Sequence, residues 1–251
     1  MFPYFHLFHH RFYSYEIVTV VAVIFFFAYF STALVKLRMN RSEIALFVFA
    51  GAFVQYFGGS VIPFLYLGFY EHKMPWMNIW EKPPGRFFHS VALALIAHIV
   101  IYCRLFKWPA RKVLDIFASA MIFASAIGRI GCLLHGCCSG GRCDLPWAVT
   151  LRIFPGVRVH PTQIYALILE VALGFFLCGF DKRKKYDGQT FWMGVFLYSI
   201  YRFVIEFWRI NAFFFWGLTH AQVFSVLTLA LASYVLTRRG WFTFPKAKKS
   251  G

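Results

Sequence analysis

Seven stretches of the chain are each apolar for about the 20 residues that a helix needs to cross a lipid bilayer. They cover residues 17–35, 44–67, 87–105, 113–134, 163–180, 189–208 and 218–236. No other feature restricts the fold so strongly. Backbone in hydrocarbon must satisfy its own hydrogen bonds, so runs of this length form helices. Charged residues make up 14% of the 251 positions and hydrophobic residues 60%, whereas a soluble domain carries about 25% charged residues. The 33 Phe residues suit a lipid-facing surface. The expected fold is an all-α membrane protein, a bundle of about seven transmembrane helices forming one integral domain over residues 1–251.

The net charge of +16 would suit nucleic acid if it formed one basic face. Instead the cations fall in short clusters between apolar spans, as topology signals do, and no nucleic-acid partner is expected. Lys36, Arg38 and Arg41 follow the first span; Arg104, Lys107, Arg111 and Lys112 follow the third. Lys182 to Lys185 follow the fifth, and Arg238, Arg239, Lys246, Lys248 and Lys249 lie in the tail. These clusters hold more than half of the 26 Lys and Arg residues. The positive-inside rule then places the N-terminus outside and the basic tail, 238–251, in the cytoplasm. The longest connections, at about 70–86 and 135–162, fall outside. The first 16 residues are rich in Phe, Tyr and His and have no charged region leading into a short apolar core. They read as an interfacial segment rather than a cleavable signal peptide. No soluble domain, low-complexity run or internal repeat stands out.

Cations inside apolar runs mark the candidate site. Arginine at the centre of a membrane helix costs roughly 2.5–3.5 kcal/mol on insertion scales, so it faces a cavity or a partner. Arg129 ends an apolar run within Gly128-Arg129-Ile130-Gly131-Cys132. Its flanking glycines allow close approach of backbone or ligand, and a guanidinium can fork onto a phosphate. The competing reading is a head that snorkels to the interface. Arg202, Glu206 and Arg209 are spaced i, i+4, i+7, which puts them on one helix face, with Tyr198 one turn earlier. A structural ion pair accounts for part of that stripe, because Glu206 can neutralise one arginine. The surplus cation, with Arg129, suits a phosphodiester headgroup.

His89, after Gly85-Arg86-Phe87-Phe88, is a candidate proton-transfer group at the start of the third span. A lone interfacial histidine is also compatible with a structural role. His160-Pro161-Thr162-Gln163 reads by itself as a helix start, with Pro in the first turn. Cys132, Cys137, Cys138 and Cys143 lie close together with His135 among them, while Cys103 and Cys178 are isolated within spans. Four thiols and an imidazole can bind zinc, although the paired C-x2-C knuckles of structural sites are missing. In an external loop a disulfide is equally consistent. A reactive thiol, or small residues packed against Gly131, Gly136, Gly140 and Gly141, are further readings.

Together these residues resemble the prolipoprotein diacylglyceryl transferases of bacterial inner membranes, most strongly from Ala126 to Leu227. Gly128-Arg129-Ile130-Gly131, with Gly136 and Gly140, is similar to the family's signature. Asp144-Leu145-Pro146-Trp147-Ala148-Val149 resembles the segment that follows it. His160-Pro161-Thr162-Gln163-Ile164-Tyr165 resembles its H-P-[ST]-Q-x-Y element. Gly188, Tyr198, Arg202, Glu206 and Arg209 match its later pattern, and Ala221-Gln222 its last G-Q step. The N-terminal half departs further. Ser14-Tyr15-Glu16 corresponds to an aromatic pair with an essential tyrosine. Gly58-Gly59-Ser60 stands where G-G-R is usual, and Phe88-His89-Ser90-Val91 where F-H-G-G is usual. Cys132 and Cys137 stand in place of an asparagine and a glutamate.

The resemblance implies a multi-pass protein of the bacterial cytoplasmic membrane that moves a diacylglyceryl group from phosphatidylglycerol to a prolipoprotein. The acceptor is the cysteine thiol of the signal-peptide lipobox, and glycerol phosphate leaves. A thiol has a pKa of about 8.5 and reacts as thiolate, so a base or a positive field must assist. The implied catalytic residues are His89 as base, Arg202, Glu206 and Tyr15. Arg129, Tyr198, Arg209 and His160 are implied in substrate binding. No metal or other cofactor is required by this chemistry. The alternatives are a divergent relative that transfers or binds another lipid, a non-enzymatic membrane protein with a metal or redox cysteine cluster, and a transporter whose arginines line an anion path.

Overall fold

The computed structural model describes residues 4–7, 10–70, 88–151, 155–210 and 213–239, with side chains for all of these except 4–12, 58–70, 88–89 and 213–215. Seven α-helices dominate: α1 (Ser14–Lys36), α2 (Arg41–Tyr70), α3 (Phe88–Leu105), α4 (Ala110–His135), α5 (Thr162–Asp181), α6 (Gln189–Ile205) and α7 (His220–Arg238). Each apolar stretch read from the sequence coincides with one of them. Among the described residues, α1, α4, α5 and α7 are long and apolar enough to cross a membrane. Large apolar side chains face outward along the helices: Phe49 is 78% exposed, Phe175 68% and Ile24 64%. Such a surface is unfavourable in water and suits lipid. The protein is an all-α membrane protein.

Among the described residues three small antiparallel hairpins, which the apolar pattern did not foretell, precede or join the helices: β1 (Tyr4–Leu7) with β2 (His10–Tyr13), β3 (Val149–Thr150) with β4 (Arg158–Val159), and β5 (Phe213–Phe215) with β6 (Leu218–Thr219). The third shortens the last expected span. Trp216 and Gly217 turn the chain with φ of 48° and 73°, so residues 218–219 are strand. α7 then opens on a capping box: Thr219 Oγ1 accepts from Gln222 N (3.3 Å), and Gln222 Oε1 accepts from Thr219 N (3.0 Å). Residues 206–208, expected at the end of the sixth span, tighten into a 3-10 turn, Glu206–Trp208.

The chain divides into two compact units, residues 27–114 and residues 1–26 with 115–251. In the first, Phe47 of α2 stacks on Phe30 at 5.3 Å and meets His98 (4.6 Å) and Tyr102 (5.1 Å) of α3. Glu43 joins the same cluster. Its backbone oxygen accepts from Tyr102 Oη and its Oε2 from Trp108 Nε1, both at 2.7 Å. Asn40 caps α2 by accepting from Ser42 N at 3.1 Å.

In the second unit α6 packs between α5 and α7. At Gly174 α5 lies close against α4, since a Cβ there would come 2.6 Å from the Phe123 ring. Asp115, buried in α4, holds the start of α6. Its Oδ2 accepts from Gly188 N and Lys184 Nζ (2.8 Å each), and its Oδ1 accepts from Phe191 N (2.9 Å). The unpaired N–H groups and positive dipole of a helix start favour a carboxylate there. Burial pulls the Lys184 ammonium down, but its hydrogen bonds to Asp115 and Asp181 outweigh this and hold it above its ordinary 10.5.

Candidate functional site

Three arginines converge on one cleft in the larger unit. Arg129 comes from the last turns of α4, Arg202 from the end of α6, and Arg209 from just beyond the 3-10 turn. Thr162, Gln163, Tyr201 and Cys138 share its lining. The i, i+4, i+7 spacing of Arg202, Glu206 and Arg209 does not continue as regular helix. The tightened turn still keeps all three together.

Each guanidinium is anchored by carboxylate. Arg129 donates from Nε (3.1 Å) and Nη2 (2.9 Å) to Glu170 Oε1 on α5. Tyr201 Oη donates to the same oxygen and lies 3.4 Å from Arg129 Nη2. Glu170 is completely buried. Arg202 Nη1 donates to Glu206 Oε2, and Arg209 Nη1 lies 3.9 Å from that oxygen. Thr219 Oγ1, the cap of α7, donates to Glu206 Oε1 at 3.0 Å, so the α7 start and the arginine pair share one carboxylate. Arg129 is therefore neither snorkelling nor unpaired, as the bare apolar run allowed. It is held by an acid that sequence reading passed over. Three guanidiniums against two carboxylates still leave one net positive charge. Arg209 Nε is buried with no hydrogen-bond partner among the described residues. A buried donor without a partner is costly, and an anion in the cleft would satisfy it.

Glycine at 140 seats Arg209. The segment after α4 runs antiparallel beside Arg209 at Gly140, with Gly141 N donating to Trp208 O (2.8 Å) and Gly140 N to His160 O (2.9 Å). A Cβ on Gly140 would come within 2.4 Å of Trp208 O and 2.6 Å of His160 Cβ. His160 serves this seam through its backbone, while its ring nitrogen Nδ1 lies 3.4 Å from Tyr165 Oη, which accepts from Trp147 Nε1 at 2.7 Å. Its ring is not among the groups lining the cleft.

Tyr198 packs edge-on against Tyr201, ring centroids 5.2 Å apart, within electrostatic reach of all three arginines. Tyr15, in the first turn of α1, lies against Gly131, where a Cβ would be 3.4 Å from its ring. His89 falls in the first turn of α3, and its side chain lies outside the described residues. The structure thus brings together Arg129, Arg202, Glu206, Arg209 and Tyr198, and adds Glu170, Tyr201 and Thr219. Glu170 had the same signal as the arginines, a charge within an apolar span.

None of the six cysteines is joined to another in a disulfide. Cys132, Cys137 and Cys138 group together, their sulfurs all within 4.8 Å of one another, and neither His135 nor Cys143 belongs to that group. Arg209 and Arg129 lie within electrostatic reach of Cys138.

The family model described as prolipoprotein diacylglyceryl transferase matches residues 3–238. A phosphatidylglycerol–prolipoprotein diacylglyceryl transferase of Clostridium tetani is 35% identical over 115 residues, covering 44% of this chain and 46% of the relative. Its namesake from Dehalococcoides mccartyi is 34% identical over 171 residues, 62% of this chain and 66% of the relative. One from Geobacter sulfurreducens is 31% identical over 180 residues, 69% of this chain and 67% of the relative. The chain spans about half to two thirds of the length of the curated relatives it matches.

Proposed function

The chain belongs to the prolipoprotein diacylglyceryl transferase family, and we propose that it transfers a diacylglyceryl group from phosphatidylglycerol to the lipobox cysteine of a prolipoprotein. The observation that carries this reading is the cleft in which Arg129, Arg202 and Arg209 meet with one positive charge in excess. In the reaction the acceptor sulfur forms a bond to the glycerol carbon that bears the phosphate. The C–O bond to that phosphate breaks, its electron pair leaves on glycerol phosphate, and the thiol proton passes to a base. Negative charge gathers on the departing phosphate oxygen, which is where fixed guanidiniums lower the barrier.

Glu206 and Glu170 fix the arginines in advance, so little reorganisation is needed when charge develops. Arg209, with its unpartnered Nε, and Arg129 hold the headgroup phosphate. Arg202 sits on the departing oxygen, oriented by Glu206. Tyr198 and Tyr15 hydrogen-bond the lipid, His160 contributes to substrate binding, and His89 takes the thiol proton. The protein works as one integral domain of the bacterial cytoplasmic membrane, N-terminus outside and basic tail inside.

The test is transfer of labelled glyceryl from phosphatidylglycerol to a lipobox peptide by the purified protein. Transfer that requires both arginines 129 and 202 supports the proposal. Absence of transfer from phosphatidylglycerol, alongside transfer from another phospholipid, would make the chain a divergent relative with a different donor.

A further inference from the structure

The three grouped thiols have no part in the lipid reaction above. α4 ends at His135, and Gly136, with φ of 83°, folds the chain back in the left-handed conformation that favours glycine. Gly136 N and Cys137 N both donate to Cys132 O, at 2.9 and 3.1 Å. The return brings Cys137 and Cys138 beside Cys132, itself only 8% exposed. Two side chains from the start of α5 then clamp the backbone. Gln163 Nε2 donates to Cys137 O and Thr162 Oγ1 to Cys138 O, each at 2.6 Å. The thiols are therefore held together by bonds that do not involve sulfur.

We propose that Cys132, Cys137 and Cys138 form a binding site for one thiophilic d10 cation, Zn2+ or Cu+. With metal–sulfur bonds of about 2.3 Å, tetrahedral thiolates stand about 3.8 Å apart. Sulfurs already within 4.8 Å reach that spacing by side-chain adjustment alone. An all-sulfur donor set selects soft cations and gives Mg2+ or Ca2+ no oxygen to bind. Three thiolates exceed the charge of either cation, and the guanidiniums of Arg129 and Arg209 act on Cys138 from the adjoining cleft.

The full chain in detergent, reduced and then freed of reductant without oxygen, is loaded separately with Zn2+ and with Cu+ and desalted. One retained equivalent of either cation is expected, and the arm that retains it identifies the metal. Alkylation followed by peptide mass spectrometry should then show Cys132, Cys137 and Cys138 protected by metal, with Cys103 and Cys178 modified as in the metal-free protein. Cys138→Ser should weaken binding by about 100-fold or more, since even outer partners of metal ligands are worth about 10–100-fold. Failure to retain either cation overturns the proposal. So does retention that leaves alkylation of these three thiols unchanged, a result that needs no variant to fold.

Discussion

Arg129 on α4 and Glu170 on α5 form an ion pair 2.9 Å long in which the carboxylate is completely buried. The pair links two helices through groups that are expensive in an apolar surround and are kept there only when satisfied. Tyr201 of α6 donates to the same carboxylate oxygen. One acid thus sets the position of the arginine that faces the cleft, and three helices depend on it.

Glu170→Ala leaves Arg129 buried without its counter-charge, which should cost about 3–5 kcal/mol of stability. Glu170→Gln keeps an oxygen to accept from Arg129 and Tyr201 and should lose less. Thermal unfolding of both variants in detergent checks the order. An alanine variant as stable as the parent would mean that the pair does not hold α4 to α5.

Arg129→Ala and Arg202→Ala should each lower diacylglyceryl transfer by about 10²–10³-fold, the cost of one donor to developing negative charge, while the protein still inserts. Arg→Lys at either position keeps the charge and loses the planar fork, so its transfer should fall between the parent and alanine. Labelled-glyceryl transfer at matched membrane abundance measures both. A parental rate in either alanine variant removes that arginine from the site.

The spans were legible because apolar length is a one-dimensional property, and the arginines because charge stands out within it. Glu170 carried the same signal but was hidden by attention to cations. Tyr201 adjoins the Tyr198–Arg202 stripe, three residues after Tyr198 and packed against its ring, but it carries no charge to mark it in the sequence. Only the packing of α4, α5 and α6 shows that it meets Arg129. Thr162 and Gln163 read as a helix start and prove to clamp the cysteine turn. The β5–β6 hairpin was hidden because Leu218 and Thr219, its second strand, adjoin the apolar run of α7 and were counted as the start of that span.

Gly140→Ala tests the seam that seats Arg209. The added methyl would meet the backbone oxygen of Trp208 and His160 Cβ, neither of which is the far end of a flexible side chain. Overpacking of this kind costs about 1–3 kcal/mol, and transfer should fall as Arg209 moves. At Gly141 a Cβ meets nothing within 4 Å, so Gly141→Ala should retain transfer and stability. Equal behaviour of the two variants in the same assay would show that close approach at residue 140 is not what places Arg209.

Lys184 provides a pH test remote from the cleft. Its ammonium is 2.8 Å from buried Asp115, which also holds the N–H groups opening α6. Because its pKa in the folded protein lies above the ordinary 10.5, the folded state binds this proton more tightly than the unfolded chain does. The resulting stabilisation is complete below pH 10.5 and is lost as pH rises through the folded value. Lys184→Met should therefore be less stable than the parent by a constant margin near neutral pH. That margin should close above pH 10.5, where the parent's lysine discharges. Unfolding temperatures of parent and variant, compared from neutral pH into the alkaline range, read the margin directly. If it persists unchanged there, the contribution of Lys184 comes from its packing, and the charge linking Asp115 to the start of α6 is not the source of the stability.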